Sequence, residues 1–147
     1  MTQPQNIGQI MTKEVIFVKP EDTMDKVSEI FKRNNFHHIP VVTENGKTVG
    51  ILSKGDYFQL THGLTLFKHK NSMEYNDSLM RSLLVKEVMT HPVAKLHPED
   101  SIRTAADIFK ENLFHALPVV NDENQLVGIV TTFDLLNFAF TDKVLIG

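Results

Sequence analysis

Gly50-Ile51-Leu52-Ser53-Lys54-Gly55-Asp56 is an apolar run that ends on a hydroxyl residue and sets a carboxylate three positions further on. The pattern returns 78 positions later as Gly128-Ile129-Val130-Thr131-Thr132-Phe133-Asp134. A short apolar run followed by hydroxyl-x-x-Asp reads as a strand entering a helix. An oxygen at the N-cap and an acid in the first turn are both favoured there. The same residues also suit a helix N-terminus that faces something polar.

The duplication extends well beyond these seven residues. Residues 7–56 laid over 85–134 without a gap agree at 19 of 50 positions, among them Met11, Thr12, Pro20, Phe31, His37 and Gly50. Agreement at one fixed offset marks a structural unit used twice. Val15 to Val18 is β-branched and aromatic and predicts a first strand. Pro20-Glu21-Asp22-Thr23 then offers an N-cap, and Met24, Val27, Ile30 and Phe31 recur at helical spacing to about Asn34. Ile102, Ala105, Ile108 and Phe109 repeat that stripe. Pro40 predicts the opening of a second strand at Val41-Val42, because a strand start tolerates its missing N–H. Asn45-Gly46 reads as a hairpin turn that uses positive φ, Thr48 to Leu52 as the returning strand, and Ser53 as the start of a second helix. Each unit is therefore expected to run β-α-β-β-α.

These readings divide the chain into a unit at 7–60, a linker at 61–84 and a second unit at 85–140. The linker holds a basic triplet, Lys68-His69-Lys70, read as a solvated loop, and a short helix over Ser78 to Leu84. The last helix carries Leu135, Leu136, Phe138, Ala139 and Phe140, which is apolar enough to call for burial against another element or subunit.

The composition is that of an ordinary globular protein: 147 residues, 41% hydrophobic and 22% charged. A net charge of −3 supplies no global field for nucleic acid or an anionic membrane, so any anion site must be local. Cysteine is absent, which fits a reducing cytoplasm and removes thiolate chemistry. No Gly-rich phosphate loop with a Lys, no Gly-x-Ser-x-Gly elbow and no His-Glu-x-x-His appears, so an enzyme is not expected. The adjacent pair His37-His38 and the loop residues His62 and His69 do not form a metal-ligand pattern.

Met-Thr before each first strand, the His-x-x-Pro-Val-Val segments at His37 and His115, and the two Ser/Thr-x-x-Asp endings resemble a tandem pair of CBS domains. The resemblance covers residues 7–140. It implies an α/β (α+β) fold of two β-α-β-β-α units, related by pseudo-twofold symmetry and packed through their sheets, with two clefts. In many family members such clefts bind adenosine compounds: AMP, ADP, ATP or S-adenosylmethionine. Such a module has a regulatory ligand rather than a required cofactor, commonly forms a homodimer, and acts on a partner in trans.

Carried over, the resemblance implies ribose contacts by Asp56 and Asp134, with Ser53 and Thr131 on phosphate or ribose oxygens. Val15, Ile16, Val93 and Ala94, which follow Thr12 and Thr90, would line adenine. His37, His38 and His115, beside Pro40 and Pro118, would lie near phosphate. Phe133 offers the second unit an apolar wall that Gly55 denies the first. Neutral histidine clamps polyphosphate poorly, which favours AMP over ATP. Helix capping alone explains the Ser/Thr-x-x-Asp spacing equally well, so the alternative is a structural dimerisation protein with vestigial clefts.

Overall fold

A computed structural model of the chain describes residues 5–65 and 72–140, with the side chains of 62–65 and 72–76 outside that description. The basic triplet Lys68-His69-Lys70, His69 itself and the side chain of His62 thus lie outside the described residues. After a single 3-10 turn at Ile7–Gln9 come α1 (Met24–Arg33), β1 (His38–Val42), β2 (Thr48–Ser53), α2 (Lys54–Thr65) and α3 (Ser72–Ser82). Then follow α4 (Val85–Val88), α5 (Ile102–Lys110), β3 (Ala116–Val120), β4 (Leu126–Thr131) and α6 (Thr132–Ala139). β1 pairs with β2, and β3 with β4, in two separate two-stranded sheets. The result is a mixed α+β fold built from two repeats.

The expected first strand of each repeat shrinks to one bridge. Val18 donates its N–H to Pro40 O at 3.1 Å and accepts from Val42 N at 2.8 Å. Leu96 does the same with Pro118 and Val120, at 3.0 and 2.8 Å. Only Val18 of the Val15–Val18 run is buried, while Ile16 and Phe17 are exposed, so no alternation extends the pairing.

β1 begins at His38 rather than at Pro40, which therefore sits mid-strand. Its counterpart Pro118 shows why this is tolerated. Pro118 stands opposite Ile129, whose own N–H and C=O turn the other way to bond Thr12. The position needs no ladder donor, so the missing N–H costs nothing. At the hairpin only Gly46 takes positive φ, at 84°, and Asn124 fills the same position in the second repeat at 63°.

The compact bodies do not follow the repeats as they run along the chain. One body is Ile16–Asn45 with Val49–Pro92, and the other joins the chain up to Val15, Gly46–Thr48 and everything from Val93 on. In the first body Val85 N donates to Asp22 O and Lys86 N to Pro20 O, at 2.8 and 2.9 Å. In the second Ile7 N donates to Asp100 O and Gly8 N to Pro98 O, at 2.8 and 2.9 Å. The opening turn of each repeat is thus built into the body that holds the other repeat's sheet.

Each body has its own core. Val18, Met24, Phe31, Ile39, Leu52 and Met80 are buried together in the first; Ile7, Leu96, Leu117, Val119 and Val130 in the second. α3 starts at Ser72, earlier than the short helix expected, and packs on α1 and α2 with Met80 in the core.

Candidate functional site

The two strand-to-helix junctions form as the sequence predicts, and each is held from two sides. β2 passes directly into α2, where Lys54 N donates to His37 O at 2.7 Å and Asp56 N donates to Ser53 Oγ at 2.9 Å. In the other body Thr132 N donates to His115 O at 3.0 Å and Asp134 N to Thr131 Oγ1 at 3.2 Å. Each His-x-x-Pro segment is thereby tied to the start of the helix that carries the carboxylate.

The second side is the Met-Thr segment. Thr90 exchanges two backbone bonds with Ile51, at 2.9 and 3.2 Å, and Thr12 exchanges two with Ile129, at 2.9 and 3.0 Å. The segment lies so close to the strand that only glycine fits opposite it. A Cβ on Gly50 would stand 2.6 Å from Met89 Sδ and 3.0 Å from Thr90 O; on Gly128 it would stand 2.5 Å from Met11 Sδ and 2.9 Å from Thr12 O. This contact explains why Met, Thr and Gly are duplicated: each glycine seats the Met-Thr segment of the other repeat, Gly50 that of Met89-Thr90 and Gly128 that of Met11-Thr12.

One body therefore brings together Ile16, His37, His38, Pro40, Ser53, Asp56 and Thr90. The other brings together Thr12, Val15, Val93, Ala94, His115, Pro118, Thr131 and Asp134. His37 and His115 are exposed, His38 is half-buried, and both prolines are buried in their strands. Val93 is buried, Val15 and Ala94 are half-buried, and Ile16 is exposed.

The two carboxylates are used differently. Asp134 Oδ2 accepts from Thr131 N at 2.9 Å, completing a reciprocal capping box. Asp56 is half-buried, and its carboxylate has no hydrogen-bond or ion-pair partner among the described residues. Lys54, which sequence reasoning passed over, adds a cation to this junction, with Nζ 5.8 Å from the Phe58 ring centroid. The signal was a basic residue between Ser53 and Asp56, where the other repeat has the uncharged Thr132. A Cβ on Gly55 would stand in ordinary contact, 3.7 Å from Ser53 Oγ, whereas Phe133 is 69% exposed. Among the described residues no group of three His, Asp or Glu could hold a metal, and no helix is long and apolar enough to cross a membrane.

Comparison with known families matches the CBS domain at residues 7–62 and again at 85–140. The chain belongs to the CBS domain family. Its CBS pair is 32% identical to the uncharacterized protein MJ1426 of Methanocaldococcus jannaschii, over 88% of each chain. Among solved structures it is similar to CBSX2 of Arabidopsis thaliana in complex with AMP, at 25% identity and a TM-score of 0.75, covering 95% of this chain and 99% of that one. It is also similar to the CBS domain pair of protein MJ0100 in complex with 5′-methylthioadenosine and S-adenosyl-L-methionine. That match has 25% identity and a TM-score of 0.71, and covers 91% of this chain and 95% of that one.

Proposed function

We propose that this CBS pair is a regulatory module, not an enzyme, that binds an adenosine compound at its Ser/Thr-x-x-Asp junctions. The bound state would then be passed to a partner protein or to the module's own assembly. The observation that carries this reading is the Asp56 carboxylate, half-buried at a helix start with its acceptor capacity unused. An ionised carboxylate accepts from two hydroxyls at once, which is what a ribose presents. Two similar solved CBS pairs are complexes with adenosine compounds, which supports the same ligand class here.

Among AMP, ADP, ATP and S-adenosylmethionine, AMP fits the first junction best. Lys54 is one fixed cation, and a single phosphate is matched by one ammonium and the N–H groups of a helix start. At the second junction the Thr131–Asp134 box favours the structural alternative, because capping already employs one carboxylate oxygen.

Thermal denaturation with each of the four compounds tests the reading. A ligand that binds only the folded protein stabilises it by about 2.7 kcal/mol at 100 times its dissociation constant. The melting temperature is expected to rise with AMP. If millimolar amounts of all four compounds leave it unmoved, the protein is a structural pair and the proposal fails.

A further inference from the structure

We propose that Met11 and Met89 are a matched pair of oxidation sites, whose conversion to methionine sulfoxide by a peroxide unseats the Met-Thr segments from their strands. The chain has six methionines and no cysteine, so thioethers are the sulfur it offers an oxidant. Met24 and Met80 are 0% and 6% exposed and lie inside a core. Met1 and the side chain of Met73 lie outside the described residues. Met11 and Met89 are half-buried, and each is followed by an exposed threonine, Thr12 or Thr90.

These two sulfurs are at once within reach of solvent and packed. Met89 lies against the buried cluster of Val18, Ile39 and Leu52, and Met11 against that of Ile7, Leu117 and Val130. Each also rests on a glycine of its own body. A Cβ on Gly50 would stand 2.6 Å from Met89 Sδ, and one on Gly128 2.5 Å from Met11 Sδ. A fully exposed methionine has little packing to lose on oxidation, and a fully buried one is shielded from the oxidant. Here the same atom is reached and holds a segment in place.

The chemistry balances with hydrogen peroxide alone. A lone pair of Sδ attacks one peroxide oxygen, the S–O bond forms as the O–O bond breaks, and the second oxygen leaves as water. The thioether loses two electrons and the peroxide takes up two. The product is a polar sulfoxide whose oxygen needs hydrogen bonds when buried. The glycine beneath it has no side chain to give one, and Thr12 and Thr90 already spend their backbone N–H groups on Ile129 and Ile51. The sulfoxide therefore turns out to water, and the backbone bonds beside it lose their apolar cover. Ser53 and Thr131 stand two residues further along the same strands, so the loosening reaches both junctions. Any consequence for a ligand there rests on the adenosine reading. Thiol-dependent reduction returns the sulfoxide to the thioether, which makes the change reversible.

The test needs no nucleotide, so its outcome is separate from that of the adenosine reading. The full chain is treated with hydrogen peroxide, digested and analysed by mass spectrometry. Met11 and Met89 are expected to gain one oxygen at least about tenfold faster than Met24 and Met80. The melting temperature should fall by about 2–4 °C. Amide hydrogen exchange at Thr12, Ile51, Thr90 and Ile129 should speed up at least about tenfold. Methionine sulfoxide reductases with a dithiol should restore both. The double variant Met11→Leu/Met89→Leu keeps the apolar volume without the sulfur and should melt at the same temperature before and after peroxide. Equal reaction of Met11, Met89 and the buried methionines overturns the proposal. So does oxidation at Met11 and Met89 that leaves melting and exchange unmoved, or a double variant that loses as much as the parent. Should that variant not fold, the reductases decide: a loss that reduction does not reverse overturns the proposal.

Discussion

Thr131 and Asp134 are bonded to each other in both directions, Thr131 N donating to Oδ2 at 2.9 Å and Asp134 N donating to Oγ1 at 3.2 Å. Ser53 and Asp56 share only the second of these bonds, at 2.9 Å. One sequence pattern thus serves two ends. In α6 the carboxylate stabilises its own helix start; in α2 the hydroxyl caps and the carboxylate remains available.

Asp134→Asn should therefore act mainly on the free protein, and Asp56→Asn mainly on the complex. At Asp134 the asparagine oxygen still accepts from Thr131 N but without charge, so stability should fall by about 1 kcal/mol, the difference between a charged and a neutral acceptor. Loss of the helix-dipole interaction alone, the expected effect at Asp56, is about 0.3–1 kcal/mol. A hydrogen bond to a charged acceptor contributes about 1.5–3 kcal/mol, so Asp56→Asn should weaken AMP binding by roughly 10- to 150-fold. A 2′-deoxy ligand should lose less in this variant than in the parent, because both changes remove one shared contact. Calorimetry that finds AMP affinity unchanged by Asp56→Asn removes the ribose assignment.

Thr48 is fully buried, and its hydroxyl has no hydrogen-bond partner among the described residues. Its counterpart 78 positions on is Leu126, so the repeat itself accepts an apolar side chain there. Thr48 N donates to Asn124 O at 3.1 Å and Thr48 O accepts from Asn124 Nδ2 at 3.2 Å, and neither bond involves the hydroxyl. Thr48→Val should leave stability unchanged or raise it by about 1 kcal/mol, since an unsatisfied buried hydroxyl is removed. A loss in urea denaturation would show that the hydroxyl has an unseen water partner.

Ser28 and Tyr57 join α1 to α2 through their hydroxyls at 2.6 Å, where the other repeat has Ala106 and Leu135. Tyr57→Phe leaves the Ser28 hydroxyl, 9% exposed, without its partner and should cost about 1–2 kcal/mol. Ser28→Ala combined with Tyr57→Phe should cost less than the sum of the two single changes. Strict additivity in thermal melts would contradict the bond.

The parts of the site legible in the sequence are those fixed by neighbours in the chain. Ser53 to Asp56 and Thr131 to Asp134 span one helical turn, so their bonds follow from spacing alone. The stripes at Met24–Phe31 and Ile102–Phe109 likewise needed only the helical period. What was not legible depends on distant partners. Val15–Val18 has strand composition, but pairing is set by what lies beside it, and only Val18 meets an edge. The exchange that places Met11-Thr12 against Gly128 leaves no periodic trace, because the two segments are more than 100 residues apart (128 − 12 = 116). Nor does spacing reveal that Asp134 bonds back to its own strand while Asp56 does not.

That exchange gives the sharpest test of the architecture. Gly50→Ala and Gly128→Ala would each place a methyl group within 3.0 Å of a Thr carbonyl and nearer still to a Met sulfur. The sulfur ends a flexible side chain and can turn aside. The carbonyl cannot, because Thr90 and Thr12 are held by two backbone bonds each to Ile51 and Ile129. The Met-Thr segment must then lift from the strand, at about 1–3 kcal/mol per site, as for other overpacked positions. Replacing Met89 by Ala alongside Gly50→Ala should recover only part of the loss, because the Thr90 carbonyl remains. Gly55 is the internal control: it is helical, an added Cβ would stand in ordinary contact 3.7 Å from Ser53 Oγ, and Gly55→Ala should gain about 0.4–1 kcal/mol. Urea titrations that rank the three variants with Gly55→Ala highest, and Gly50→Ala and Gly128→Ala both below the parent, bear this out. If Gly50→Ala and Gly128→Ala match the parent, the Met-Thr segments do not seat against these strands.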